Sequence, residues 1–342
     1  MSVTGHPGLL FSGSAARMWN EHAQRHEDAI GVHPNRCGCE SRATVGVDDA
    51  CARCSRGTVR RAGTSVTRPA PRTQTPAVTR VVPSFFGDRD RQLFGIYHAP
   101  DGDAVQDAGV VLCYPGPQEY SQLHWAYQKL ACMLASAGLH ALRFDYFATG
   151  DSAGRAEEGT LGQWALDIEA AVQELRDVAG IRRVSLIGMR LGAVLANRAV
   201  ANGLRIRDLV LWDPVVDGRS YVAELDAVEV TRLNRLQYPE PDEPVPGELM
   251  GLSFLPAMRE RTAAVNFLSE PLGAVDRVLV VNSEVDAGQQ ALHERFTAEG
   301  VQSTLRIVED PKLYRGQDHP SDSLLSHNIP AAITAYVARS RE

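Results

Sequence analysis

The residues from Val184 to Ala193 pose the chemical question: Val184-Ser-Leu-Ile-Gly188-Met189-Arg190-Leu191-Gly192-Ala193. An apolar run ends in Gly188, Arg190 stands at the following turn, and Gly192 lets the next helix approach the strand closely. A turn of this kind presents its central side chain at a helix N-terminus. A guanidinium stays protonated at any physiological pH, so Arg190 has no lone pair with which to accept an acyl group. What it can do is grip a carboxylate, phosphate or sulfate through two parallel hydrogen bonds, or stabilise a developing enolate or oxyanion, with the helix dipole adding to the attraction. The alternative is an internal ion pair, with Asp286 or Glu119 as the partner.

The elements that must hold this turn are legible as alternating strands and helices. Residues 109–114 form a continuous apolar run that ends at Pro115-Gly116, as suits a strand buried on both faces of a parallel sheet. Helical spacing follows over 125–137 and stops at Gly138. The chain continues with a strand over 140–145, a Gly-rich loop, a helix over 164–178, the strand 184–188 and a helix over 191–202. Segments 208–212, 277–282 and 304–308 supply three more strands, and 329–339 a closing helix. Two short strands, 78–85 and 93–98, precede the set, around a turn at 87–91. The pattern predicts an α/β, mainly parallel, doubly wound sheet. About 60 residues, 214–274, break the alternation with a proline-rich stretch, 238–247, between helical pieces; an insertion at the carboxyl edge of a sheet reads as a cap over a pocket. Trp125, Trp164 and Trp212 fall at helix or strand positions and read as core.

These motifs resemble those of the α/β-hydrolase superfamily over residues 80–340, where a nucleophile elbow G-x-S-x-G joins strand to helix. Arg190 occupies the place of its serine. Arg143-Phe-Asp145-Tyr-Phe-Ala-Thr-Gly150-Asp151-Ser152-Ala-Gly154 is similar to the family's R-x-D-x-x-G-x-G-D-S-x-G loop, with Ala148 in place of the first glycine. The elbow also resembles a G-x-R-L-G-A subset named as exosortase-associated hydrolases or serine aminopeptidase-like proteins of biosynthetic gene clusters. The resemblance implies an acid after the strand at 277–282, which is Asp286, and a histidine after the last strand, which is His319, with His327 in reserve. It implies an oxyanion hole built from the N–H of Leu191 and the loop Gly116-Pro117-Gln118. Pro117 has no N–H to give, so Gln118 is the expected substitute. Asp286 has a plainer role open to it, capping the helix that carries Leu292 and Phe296, and His319 can equally be an exposed histidine. As other nucleophiles, Ser152 reads as structural and Cys113 as core.

Composition bounds the rest. The 342 residues are 44% hydrophobic and 23% charged with net charge −7, which argues against a general nucleic-acid binder, and no apolar run is long enough to span a bilayer. Residues 1–80 hold 11 arginines and six acidic residues, opposite in sign to the body, and carry Cys37, Cys39, Cys51 and Cys54. Four thiolates can hold a structural zinc, but the one-residue gap of the first pair is tighter than usual, and residues 1–76 read instead as a disordered basic leader ahead of a 77–342 hydrolase-like domain. No secretion signal, metal motif or cofactor motif is apparent, so the expectation is a cytoplasmic protein with no cofactor and no metal. The expected function is action on a small-molecule or carrier-bound acyl ester, thioester or amide in a biosynthetic pathway, without a serine acyl-enzyme. Here Arg190 binds an anionic group while His319 and Asp286 supply base catalysis. Two alternatives stand beside it. One is non-catalytic binding of an anionic ligand or carrier-bound acyl group; the other is cyclase, lyase or acyltransferase chemistry on the same fold.

Overall fold

The computed structural model describes residues 80–101, 105–236, 247–310 and 327–339. The leader with its four cysteines, most of the proline-rich stretch and His319 lie outside the described residues. Ten strands are described: β1 (Val81–Phe86), β2 (Leu93–His98), β3 (Ala108–Cys113), β4 (His140–Phe144), β5 (Arg183–Met189), β6 (Asp208–Trp212), β7 (Glu248–Leu249), β8 (Leu252–Ser253), β9 (Arg277–Asn282) and β10 (Gln302–Ile307). The α-helices among the described residues are α1 (Pro117–Ser136), α2 (Leu161–Ala179), α3 (Leu191–Ala201), α4 (Gly218–Leu236), α5 (Pro256–Ala263), α6 (Ala287–Ala298) and α7 (Asn328–Ala338).

Eight strands make one sheet in the order β1-β2-β4-β3-β5-β6-β9-β10. β2 pairs antiparallel with both β1 and β4, and every other pairing in the sheet is parallel. β3, β4 and β6 are buried along their whole length, which requires cover on both faces and accounts for the apolar runs Val110–Cys113 and Leu209–Trp212, while β4 also buries His140 and Arg143. Helices α1 and α7 pack together, as do α2 and α3. The chain steps from β3 to β4 on one side and to β5 on the other, so the winding reverses at β3. The loops leaving the carboxyl ends of β3 and β5 therefore diverge and leave a crevice, where ligands bind in open α/β sheets. The expected α/β doubly wound architecture is the observed one.

Two local expectations need correction. α1 begins at Pro117, eight residues before the apolar spacing suggested. Proline at the first helical position gives up an N–H that has no partner there anyway, and Gly116 supplies the extended N-cap. Trp125 is not core: it is 43% exposed on α1, whereas Trp164 and Trp212 are buried. Between β6 and β9 the chain forms α4, the β7–β8 hairpin and α5, and the isolated bridge Asp217–Asn266 ties its two ends.

Candidate functional site

The turn from β5 to α3 is held by close approach. A Cβ on Gly188 would come 2.4 Å from the Gly192 carbonyl oxygen, and one on Gly192 would come 2.3 Å from the carbonyl oxygens of both Cys113 and Tyr114. Both positions must be glycine for the helix to leave the strand so sharply. Between them Arg190 has φ +52° and ψ −120°, a conformation that L-residues rarely adopt. Its N–H donates to the Trp212 carbonyl (3.0 Å), and its own carbonyl accepts from Val215 N–H (3.3 Å). The surrounding strands thus impose the strained turn.

The side chain of Arg190 is spent internally. It is 6% exposed; Nε donates to Glu119 Oε1 (3.1 Å) and Nη2 to Glu224 Oε2. The Tyr221 hydroxyl donates to the other oxygen of Glu119 (2.6 Å), and the guanidinium lies 5.1 Å from the centre of the Tyr221 ring. Glu119 comes from the first turn of α1, Tyr221 and Glu224 from α4. Burial pushes the Glu119 carboxyl above the usual range, against the pull of Arg190 and Tyr221. Of the two roles expected for Arg190, the internal pair with Glu119 is present, joined by Glu224, which spacing along the chain did not signal. Two carboxylates flank one guanidinium, so the free cation needed to grip an external anion is not offered.

Beside the elbow lies a cavity of about 380 Å³. Leu191 forms one wall, Gly116 and Gln118 another, and Trp164, Tyr221 and Phe254 give it aromatic sides. Arg190 is not among the lining residues. Leu191 is the first residue of α3 and Gln118 the second of α1, so their N–H groups have no partner within their own helices. Pro117 stands between Gly116 and Gln118 without an N–H, as its position implied. The Gln118 side chain is committed, its amide donating to the Ser253 carbonyl in the β7–β8 hairpin (3.1 Å).

Asp286 is exposed and accepts the Gln289 N–H at the start of α6 (2.8 Å), the capping role foreseen beside the functional one. His327 is the N-cap residue of α7. A carboxylate that sequence reasoning missed stands nearer the elbow. Asp213, 3% exposed with φ +40°, follows β6 directly, accepts the Ser283 N–H (2.8 Å) and hydroxyl (3.2 Å), and donates its own N–H to Val281. Its place after a core strand and before Pro214 was the available signal, because carboxyl ends of parallel strands gather site residues.

The other nucleophiles weighed are engaged elsewhere. The Ser152 hydroxyl donates to the Asp145 carbonyl (2.6 Å) and accepts the Phe94 N–H (2.9 Å), clamping β2 to the loop after β4. In that loop a Cβ on Gly150 would fall 2.2 Å from Asp145 Oδ2, and Ala148, standing in the first glycine's place, holds φ +64°. Burial pushes the Cys113 thiol far above its ordinary value, so it carries no thiolate at neutral pH. Among the described residues no three His, Cys, Asp or Glu side chains are grouped to hold a metal, and no helix is long and apolar enough to cross a membrane.

No protein-family model matches the sequence, and no curated protein does. Among solved structures the chain is similar to Est1E from Butyrivibrio proteoclasticus with ferulic acid bound, at 17% identity and TM-score 0.51, covering 74% of this chain and 97% of that one. It is also similar to the Pyrococcus furiosus esterase Pf2001, at 19% identity and TM-score 0.50, covering 76% and 91%. With the sheet order, the elbow between β5 and α3 and the crevice at the strand reversal, these likenesses fix the architecture: this chain has the α/β-hydrolase fold.

Proposed function

We propose that the protein binds an acyl ligand non-covalently in the cavity beside the elbow, its carbonyl or carboxylate oxygen directed to the N–H groups of Leu191 and Gln118 and its apolar part against the aromatic walls. The observation that carries this reading is the buried pairing of Arg190 with Glu119 and Glu224. The residue at the nucleophile position can neither attack a carbonyl nor reach out to an anion. Two helix N-termini meet at the cavity and favour an oxygen bearing negative charge, as a carboxylate or polarised carbonyl does.

A second reading, hydrolysis by water, is supported by Asp213, a buried carboxylate that follows β6, the strand next to β5, and is held by Ser283. In it His319, oriented by Asp286 as the family order implies or by Asp213, takes a proton from water. The water oxygen attacks the acyl carbon, the oxyanion sits on the two N–H groups, and the alcohol, thiol or amine leaves with the proton returned by the histidine.

Calorimetric titration of the full chain with 3-phenylpropanoate tests the binding reading. Affinity in the micromolar to millimolar range is expected, with at least a tenfold loss on Leu225→Trp, which puts an indole into the cavity wall, read only while the variant's circular dichroism matches that of the unaltered chain. No heat of binding to the unaltered chain, or binding indifferent to Leu225→Trp, overturns it. Turnover of a thioester such as phenylacetyl-N-acetylcysteamine, lost on His319→Ala, selects the second reading instead.

A further inference from the structure

Arg261, on α5, lines the cavity together with Leu255, Met258 and Thr262, residues spaced three and four apart and therefore on one face of the helix. Along that face burial changes: Thr262 is buried and Met258 half-buried, whereas Arg261 is exposed. A side chain that both lines the cavity and meets solvent stands at its mouth. The apolar stem of the arginine follows the wall and the guanidinium faces water and whatever enters.

The neighbouring charges are matched and this one is not. Arg259, two residues earlier and absent from the cavity lining, donates to both oxygens of Asp226, and Arg232 on α4 donates to both of Glu229. Glu157, the other charged residue among the described ones that line the cavity, accepts from Arg155 (3.3 Å). Arg261 has no hydrogen bond or ion pair to any described residue. The walls beside it, Leu252, Phe254 and Met258, are apolar. The mouth thus offers one uncommitted cation at the end of an apolar passage.

Building on the acyl-binding reading, we propose that Arg261 is a specificity-determining residue of this cavity, its guanidinium pairing with a carboxylate at the outer end of the ligand while the acyl oxygen lies on the N–H groups of Leu191 and Gln118. The ligand class is then an acid-terminated acyl group, a dicarboxylic acid or its monoacyl derivative, with an apolar middle. One guanidinium supplies one positive charge on a two-pronged fork, which a single carboxylate matches, whereas a phosphate dianion calls for a second cation. Apolar walls keep part of the water away from the pair and strengthen it over an ion pair on open surface.

Straight-chain dicarboxylates of five to ten carbons, each against the monocarboxylate of equal length, test this by calorimetric titration of the full chain, Arg261→Gln and Arg261→Glu. At one or more lengths the diacid is expected to bind the unaltered chain about tenfold more tightly than the monoacid, about fivefold from the ion pair and about twofold from having two identical ends. Sodium chloride at about 0.5 M is expected to lower that ratio. Arg261→Gln is expected to bring it to about twofold and Arg261→Glu below that, with the melting temperature and the monoacid affinity unchanged. A ratio of about two or less at every length in the unaltered chain, or a larger one that survives Arg261→Gln, overturns the proposal, while binding of 3-phenylpropanoate keeps the acyl-binding reading. Loss of monoacid affinity on Arg261→Gln overturns it as well, because the single carboxylate then sits at the mouth. If neither 3-phenylpropanoate nor any straight-chain acid binds the unaltered chain, both fall together.

Discussion

Replacing Arg190 by serine, the change that would rewrite the elbow as G-x-S-x-G, is expected to destabilise the protein. The guanidinium is the cation for Glu119, whose carboxyl lies fully inside the molecule between Arg190 and the Tyr221 hydroxyl. Removing one partner of a buried ion pair leaves the other charge without compensation, a loss of about 3–5 kcal/mol. Serine is too short to bridge to Glu119, and Glu224, more exposed on α4, loses its tie to the elbow as well. The lowest-energy response is protonation of Glu119, already pushed upward by burial, so the loss is expected to be largest at alkaline pH. Glu119→Gln in the same chain removes the orphaned charge while keeping an acceptor for Tyr221. The double variant is therefore expected to regain more than half of the lost stability. With an m-value near 3 kcal/mol/M, a loss of about 4 kcal/mol moves the urea midpoint down by about 1.3 M. Urea titrations of the four chains, followed by far-ultraviolet circular dichroism and tryptophan fluorescence, give the coupling energy directly. Arg190→Ser within about 0.5 kcal/mol of the parent, or two changes that simply add, would refute the view of Arg190 as an internal structural cation.

Three further outcomes follow from the geometry. Gly192→Ala is expected to cost about 3 kcal/mol or more, or to abolish soluble expression, because its Cβ would overlap two carbonyl oxygens at 2.3 Å; a melting temperature equal to the parent's would contradict the close approach of α3 to β3. Ser152→Ala is expected to lower stability by about 1–3 kcal/mol through loss of both backbone bonds, read from urea midpoints, and to leave ligand affinity unchanged. His98 and His124 are each held down to a pKa of about 4, first by burial and then by the Arg143 cation, against an ordinary 6.5. Between those values the unfolded chain binds protons that the folded chain does not. Their stabilising effect is thus complete above pH 6.5 and declines as pH falls through about 4, by up to about 3 kcal/mol for each. Urea midpoints at pH 7.5, 6 and 4.5 check this, and a flat profile would contradict it.

What the sequence disclosed and what it hid divide along a physical line. The strands β3, β5, β6 and β9 announce themselves because burial at their centres demands short, largely apolar runs, and Gly188 and Gly192 mark the elbow because backbone contact tolerates nothing larger. The start of α1 was concealed by Pro117, which resembles a loop signal unless read as a first helical residue. The surroundings of Arg190 were only half visible. Glu119 was a candidate, but Glu224 lies 34 residues away in a helix of the insertion, and no periodicity says which of its carboxylates faces the elbow. Asp286 is a good helix cap by sequence and in the structure, whereas Asp213, a second buried carboxylate besides Glu119 at this end of the sheet, has a left-handed backbone that no pattern foretold.

The central claim, that residue 190 is an internal cation and the site forms no acyl-enzyme, meets its most direct test in fluorophosphonate labelling of the purified full chain, read by intact mass and peptide mapping. No adduct is expected at any serine after prolonged exposure at pH 7.5. A stoichiometric adduct on a mapped serine would contradict it and reveal an activated nucleophile outside the elbow.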